Sequence, residues 1–423
     1  SDNYLEKHRR RPGAELKEGL LPVEMLYLSQ GLTENLSMEA FYQLKFHPYA
    51  IDNCGTFFGA DTLAEGCTDR LVVAAGDAPQ GDPSLETAAG SRYIVRTRHN
   101  KEASDDGQFG IAFRYFVPEL NDSEFGFYAM NYHSRAPIYS SIAGDSIGRF
   151  SGGDPGTLIQ GLQGAGPAGY FFEYPEDIRL YGVSFQTSVS GVSLGGEFSY
   201  RPNMPMQINT GDMSRTAIFN AVDGSDNIHR GETYVNGDYI QGYDRKEFYQ
   251  AQVTAIKFID RVLGASRLSL VGEAGVNYIG GISNDPGKTK YGRDSLFGQS
   301  PFADGTCSSQ TANNPLDLSP KADSWCETDG FYTDWSYGYR ARASLSYSNV
   351  FAGVNLTPNL AWSHDIEGYG PNFNEDAKSI SIGLDADYAN KYSAGISYTN
   401  FFDGKYNTNV DRDFASVNFS VSF

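Results

Sequence analysis

No apolar run in the chain approaches the roughly 18 residues that a membrane-crossing helix needs. A barrel of strands is untouched by that absence, because its lipid-facing and lumen-facing residues alternate and average to near neutrality. Positive charge is also short. The chain carries 33 Lys and Arg against 52 Asp and Glu, a net charge of −19, which argues against nucleic acid or an anionic membrane face as a partner. Histidine is limited to six, and no HExxH, GxSxG or paired Cys/His spacing is present, so no catalytic or metal motif is expected. Only four cysteines occur, as two pairs, Cys54 with Cys67 and Cys307 with Cys326. Neither pair has CxxC spacing, and each sits in a polar, Gly-rich stretch, as two loop-closing disulfides of an oxidising compartment would. No leader is visible at Ser1-Asp2-Asn3-Tyr4, so an exported protein is expected to have lost it already.

What is abundant is Gly (47), Tyr (28) and Phe (27), a mixture that favours strands over helices. The last residues carry the clearest pattern. Val417, Phe419, Val421 and Phe423 alternate with Ser416, Asn418, Ser420 and Ser422, as in the terminal recognition strand of outer-membrane barrels. Upstream, Ile380, Ile382, Leu384, Ala386 and Tyr388 oppose Ser379, Ser381, Asp385 and Asp387, and Tyr339, Ala341, Ala343, Leu345 and Tyr347 oppose Arg340, Arg342, Ser344 and Ser346. An apolar face set against a polar one, strand after strand, is what a lipid exterior and a wet lumen require.

Further hairpins are expected over 36–47, 108–118 with 123–138, 178–190 with 191–205, and 246–260 with 264–280. Tight turns such as Ser190-Gly191 alternate with long polar connections at 48–107, 139–177, 206–245 and 281–333. That asymmetry of short turns and long loops favours an outer-membrane barrel over a soluble sandwich. Aromatics such as Tyr278, Tyr339, Tyr347, Trp362, Tyr388 and Tyr392 fall near strand ends, where interfacial girdles place them. The fold class read from the sequence is therefore all-β: one transmembrane antiparallel barrel domain over residues 1–423.

The segments RPGAELKEGLLPVEML (11–26), AFYQLKFHPYAIDNCGTFFGAD (40–61), QFGIAFRYFVPEL with EFGFYAMNYHSRAPI (108–138) and YPEDIRLYGVSFQTSVSGVSLGGEFSYRPNMP (174–205) resemble the DUF1302 family of proteobacterial outer-membrane proteins. The resemblance extends over nearly the whole chain. It implies an outer-membrane barrel whose genes accompany periplasmic partners and inner-membrane efflux-type transporters, and hence traffic of hydrophobic compounds across the envelope. It supplies no catalytic residue. In the family the RPGAELKE motif lies well inside the protein, whereas here it begins at residue 11. Counting from Val23 gives about thirteen strands where single-chain bacterial barrels have an even number, so about 14–16 are expected when complete. The basic run His8-Arg9-Arg10-Arg11 is too charged for a lipid-facing strand. A missing amino-terminal segment of the same gene is expected to complete the wall or fill the lumen.

Function is expected in binding or conduction. The lumen candidates are Glu39, Lys45, Arg114, Glu197, Arg201, Glu273, Arg340, Arg342, Asp385 and Asp387, all on polar strand faces; they either brace the wall as mutual pairs or select a solute. Arg340 and Arg342, two residues apart on one face, suit a carboxylate or phosphate group. His133-Ser134 invites comparison with an outer-membrane phospholipase, but neighbours in a strand point to opposite faces, so the two do not pair as base and nucleophile. Transfer of hydrophobic or amphipathic, lipid-like compounds leads, with a general polar porin or a structural, adhesive surface protein as alternatives. The expected partners are outer-membrane lipids and lipopolysaccharide, the barrel-assembly machinery reading the strand that ends at Phe423, and a periplasmic protein with its inner-membrane transporter. No cofactor is expected. Acidic residues concentrate in the loops as solvated surface, with calcium bridging loop carboxylates as the alternative reading.

Overall fold

The computed structural model describes residues 22–51, 56–57, 63, 70–74, 92–96, 99–144, 168–219, 234–235, 237–298, 300–301 and 327–422. The expected disulfide cysteines Cys54, Cys67, Cys307 and Cys326, and the terminal Phe423, lie outside these residues.

Thirteen strands form one continuous antiparallel sheet. They are β1 (Met25–Gly31), β2 (Leu36–Gln43), β5 (Phe109–Val117), β6 (Ser123–Tyr132), β9 (Ile178–Val189) and β10 (Val192–Gln207). The second half comprises β12 (Tyr243–Val262), β13 (Ala265–Ile279), β14 (Trp335–Phe351), β15 (Val354–Glu367), β16 (Lys378–Tyr388), β17 (Tyr392–Phe402) and β18 (Phe414–Val421). Each pairs with its predecessor and successor in this order, β1 and β18 forming the two edges. The count of thirteen agrees with the sequence, and Lys45, expected on a strand, instead lies beyond the end of β2.

At one end of the sheet the connections are tight. Val189 pairs with Val192, Val262 with Ala265 and Phe351 with Val354, leaving two-residue turns at Ser190-Gly191, Leu263-Gly264 and Ala352-Gly353. All six turn residues have positive φ. That is the type I′ geometry, whose twist matches that of the flanking strands. The opposite end carries all the longer connections. The connection that leaves β2 reaches the last strand of the sheet. Phe57, in the connection that leaves β2, packs edge-on against Phe414 of β18 at 6.4 Å, and Arg412 Nη1 donates to the Phe57 carbonyl at 2.9 Å.

Register fixes the two faces. On the outer face Tyr200, Tyr249, Tyr278 and Trp335 lie in one row across β10, β12, β13 and β14, with ring centroids 4.6, 5.8 and 4.8 Å apart in succession. Below that row the outward residues are apolar and bare: Val417 is 80% exposed, Phe419 69% and Ile382 59%. On β14 the outward set from Tyr339 to Tyr347 spans about 26 Å along the strand, close to the ~25 Å apolar band that a bilayer demands of a barrel.

The long connections are more than polar loops. They contain β3 (Arg70–Ala74), β4 (Arg92–Arg96), β7 (Ile138–Ile142), β8 (Gly169–Glu173) and β11 (Tyr239–Ile240), which form a second sheet in the order β11-β7-β8-β4-β3. Among the described residues a helix, α1 (Thr210–Phe219), joins them. Asn209 caps it, its Oδ1 accepting from the Asp212 N–H at 3.0 Å, which satisfies one of the free donors of the first turn. Expected as long polar connections, these segments build a cap with its own core, including Tyr139, Tyr170, Met206 and Met213, seated on Phe248 and Ile279 at the mouth end of the wall's inner face. Burial pushes the Tyr139 phenol up to about 12, against the opposing effect of its bond to Ser214. Burial likewise lowers the ammonium of Lys290, with Asp212 and Asp285 acting in the other direction.

Candidate functional site on the inner face

The inner face is the one against which the connections fold, and it has two unlike halves. Across β1, β2, β5, β6 and β9 one row reads Tyr27, Phe41, Gly110, Met130, Leu180 by direct register. A methyl group on Gly110 would stand 2.6 Å from the Phe41 ring and 3.1 Å from Met130 Cβ, so the glycine lets these apolar side chains close over the strand between them. Below this row the ion pair Glu39–Arg114 bridges β2 and β5, with Nη2 3.3 Å from Oε2.

The other half is polar. Glu197 faces Gln252, Gln252 faces Gly275, Gly275 faces Gly338, and Gly338 faces Asp365 in one row across β10 to β15. In the adjacent row Thr254, Glu273, Arg340 and Ser363 follow one another. Arg340 Nη2 donates to Asp365 Oδ1 at 2.6 Å. Glu273 accepts from Thr254 Oγ1 at 2.9 Å. The connection from β15 to β16 dips inward here. Phe373 at its tip lies over the facing glycines, where a Cβ on Gly275 would meet its ring at 3.2 Å and one on Gly338 at 3.1 Å. Asp365 Oδ2 holds this connection by accepting from the Asn374 N–H at 2.8 Å.

The remaining candidates are spread out. Arg201 sits at the mouth, its guanidinium 5.4 Å from the Phe248 ring. Asp385 accepts from Asn359 Nδ2 at 3.0 Å on the neighbouring strand. Glu197, Arg342 and Asp387 project from the same face, and among the described residues no hydrogen bond or ion pair engages them. Arg340 and Arg342 do share a face as expected, but the guanidinium of Arg340 is matched by Asp365. His133 follows the end of β6 as a buried clasp: Nε2 donates to the Asp106 carbonyl at 2.7 Å, and Nδ1 accepts from the Asp177 N–H at 3.1 Å. Both ring nitrogens are thus taken by backbone. Among the described residues no cluster of His, Cys, Asp and Glu converges as a metal site.

The profile of the family described as "Protein of unknown function (DUF1302)" matches residues 5–423. The chain belongs to the DUF1302 family. No curated protein matches it. Among solved structures, two variants of the ferric enterobactin receptor of Pseudomonas aeruginosa are similar to this DUF1302 chain, at 13% and 12% identity with TM-scores of 0.35 and 0.33. Each comparison covers 89% of this chain and 40% of the receptor chain, so the DUF1302 chain spans two fifths of the receptor's length.

Sequence reading missed Asp365, Asn277, Gln250, Gln252 and Phe373. Gln250 and Gln252 were accessible from the alternation of β12. Asp365 was not, because a register shift between Tyr337 and Gly338 changes the pairing at that point.

Proposed function

We propose that this DUF1302 chain forms the wall of an outer-membrane channel that passes or hands over a hydrophobic or amphipathic compound, without turning it over. Its outward band of exposed apolar residues such as Val417, Phe419 and Ile382, with the aromatic row Tyr200–Tyr249–Tyr278–Trp335 toward one edge, is a surface that suits a bilayer. The observation that carries the reading is the inner row Tyr27–Phe41–Met130–Leu180, which faces the interior on the same wall whose other half is lined by Gln252, Glu273 and Arg340. An amphipathic molecule finds a partner for each of its parts in such a lumen, and a general solute pore has no use for the apolar row. In this reading the partners are outer-membrane lipid and lipopolysaccharide, the assembly machinery at the terminal strand, and a periplasmic carrier with its inner-membrane transporter.

Mass spectrometry of compounds extracted from the purified protein, together with planar-bilayer conductance, tests the proposal. Co-purifying amphipathic molecules and a small conductance are expected. A large, steady ionic conductance with no co-purifying compound overturns it in favour of a polar porin, the reading that the Ser and Asn residues lining the inner face of β16 to β18 would support.

A further inference from the structure

A cavity of about 200 Å³ opens on the inner face beneath the tip of the β15–β16 connection. A cavity of ~150 Å³ accommodates a benzene ring, so this one has room for a single six-membered ring with substituents. Its polar lining comes from Gln250, Gln252, Glu273, Asn277, Arg340 and Asn372, and Phe373 contributes an aromatic wall.

Three observations narrow what fits. First, four of the lining side chains are amides, and each presents donors and an acceptor. Asn277 is only 1% exposed; its Oδ1 accepts from Asn372 Nδ2 at 3.3 Å, while its Nδ2 has no partner. The bond to Asn372 ties the tip of the β15–β16 connection to β13, so that the Asn372 amide is held at the rim of the cavity beside Gln250 and Gln252. Second, the charges do not favour an anion. Arg340 is neutralised by Asp365 at 2.6 Å, which leaves the Glu273 carboxylate as the unmatched charge of the cavity. It repels phosphate or carboxylate and accepts hydrogen bonds from hydroxyls. Third, the facing glycines Gly275 and Gly338 allow Phe373 to lie down against the strands, which sets an apolar ring beside the amides.

We propose that this cavity binds an uncharged, polyhydroxylated ring of monosaccharide size. Hydroxyl groups both donate and accept, so they match the amides of Gln250, Gln252 and Asn372 and the carboxylate of Glu273, and the C–H face of the ring packs on Phe373. The site stands apart from the amphipathic reading of the lumen, since a pore for polar solutes would hold it equally well.

The test uses the full chain in lauryldimethylamine oxide micelles, which carry no sugar. Methyl glucoside, methyl galactoside and methyl mannoside are each screened by saturation-transfer NMR, with inorganic phosphate and ethylammonium as parallel probes. At least one glycoside is expected to receive saturation, and its affinity should fall about tenfold in Asn277→Leu, which releases the Asn372 amide from its place at the rim. Because Asn277 is buried and its replacement can disturb folding, Gln252→Leu and Phe373→Ala, at half-buried positions, are measured beside it with thermal unfolding as a control. Each is expected to weaken glycoside binding at unchanged unfolding temperature. Absence of transfer from every glycoside, transfer that is unchanged in all three variants, or displacement of the glycoside by phosphate or ethylammonium overturns the proposal. Water-soluble glycosides read this cavity alone, so a negative result leaves the passage of apolar compounds to its own test.

Discussion

Glu273 and Arg340 stand directly opposite one another on β13 and β14, yet each turns to another partner: the guanidinium reaches Asp365 at 2.6 Å and the carboxylate takes the hydroxyl of Thr254 at 2.9 Å. Two opposite charges in facing positions would ordinarily close on each other across the ladder. Asp365 wins the arginine because it is nearly buried, at 7% exposure, where water competes less for the bond. It also anchors the inward connection through Asn374. Replacing Asp365 by Ala should therefore free both Arg340 and the connection. Hydrogen bonds to charged groups contribute about 1.5–3 kcal/mol, and a loss of that order is expected in denaturant unfolding, accompanied by new protease cleavage between Gly368 and Ala377. Unchanged protease resistance would show that Asp365 does not hold the connection.

The cap should yield to a cut in its seat. Phe248 is a wall residue that is fully buried within the cap core, and Phe248→Ala is expected to cost about 3–5 kcal/mol there. The ladder of the wall does not depend on that side chain. Heat-modifiable migration on gels should survive, while limited proteolysis of the cap accelerates and single-channel conductance rises. Loss of heat-modifiability together with the cap would mean that the two are one cooperative unit.

Acid should loosen the entry into β18. The Phe401 N–H at 2.9 Å and Asn400 Nδ2 at 2.6 Å bond to Asp413 and, with Tyr398, hold its carboxyl below the ordinary 3.8 against a smaller desolvation effect. A depressed native pKa contributes stability that is present above 3.8 and is lost as pH falls through the lowered native value. Hydrogen exchange at Asn400 to Phe402 should thus accelerate in the wild type only below pH 3.8, and Asp413→Asn should remove that pH dependence. An acid transition that persists in Asp413→Asn would assign it elsewhere.

Much of this wall is written into its sequence, because its side-chain period is two and its two surroundings differ sharply. Ile382 and Leu384 against Asp385, or Val417 and Phe419 against Asn418, can be sorted into faces without any neighbour. The cap resisted the same reading. Its strands β7 and β8 have five residues each and are buried throughout, so no alternation marks them, and its core joins Tyr139 to Ile279 across segments that share no local pattern. The inner cavity was hidden for a related reason. Gly275 and Gly338 become a platform for Phe373 only through the register of two strands separated by a long connection. The charged candidates were visible one by one, but which of them pair depends on the register shift that brings Asp365 opposite Gly338.

Sidedness follows from the segregation of the turns. Leu263, in a two-residue turn, is 77% exposed, and Thr408 is exposed in the connection from β17 to β18 at the other end. In outer-membrane barrels the short turns face the periplasm. A cysteine at Thr408 should react with an impermeant maleimide on intact cells, and one at Leu263 only after the outer membrane is permeabilised, each compared with the unmodified chain to subtract its own cysteines. The reverse pattern would invert the molecule.

The seam between β1 and β18 sets the last expectation. Among the described residues the thirteen strands of the wall, each antiparallel to its neighbours, leave the first and last running in the same direction. Direct closure would make a single parallel pair in an otherwise antiparallel wall, and an open seam in hydrocarbon would leave the backbone groups of both edges unsatisfied at several kcal/mol each. One further strand running from the short-turn end to the mouth satisfies both edges and keeps every pairing antiparallel. Neighbouring strands lie about 4.8 Å apart, so an intervening strand puts β1 and β18 about 10 Å from each other. A disulfide needs Cβ atoms within about 4.5 Å. Cysteines placed at Ser29 or Gly31 in β1 and at Asn418 or Ser420 in β18 should therefore fail to oxidise together in membranes, whereas a bismaleimide of about 10 Å reach should join them. Spontaneous disulfide formation in any of these pairs would establish direct parallel closure and remove the need for another strand.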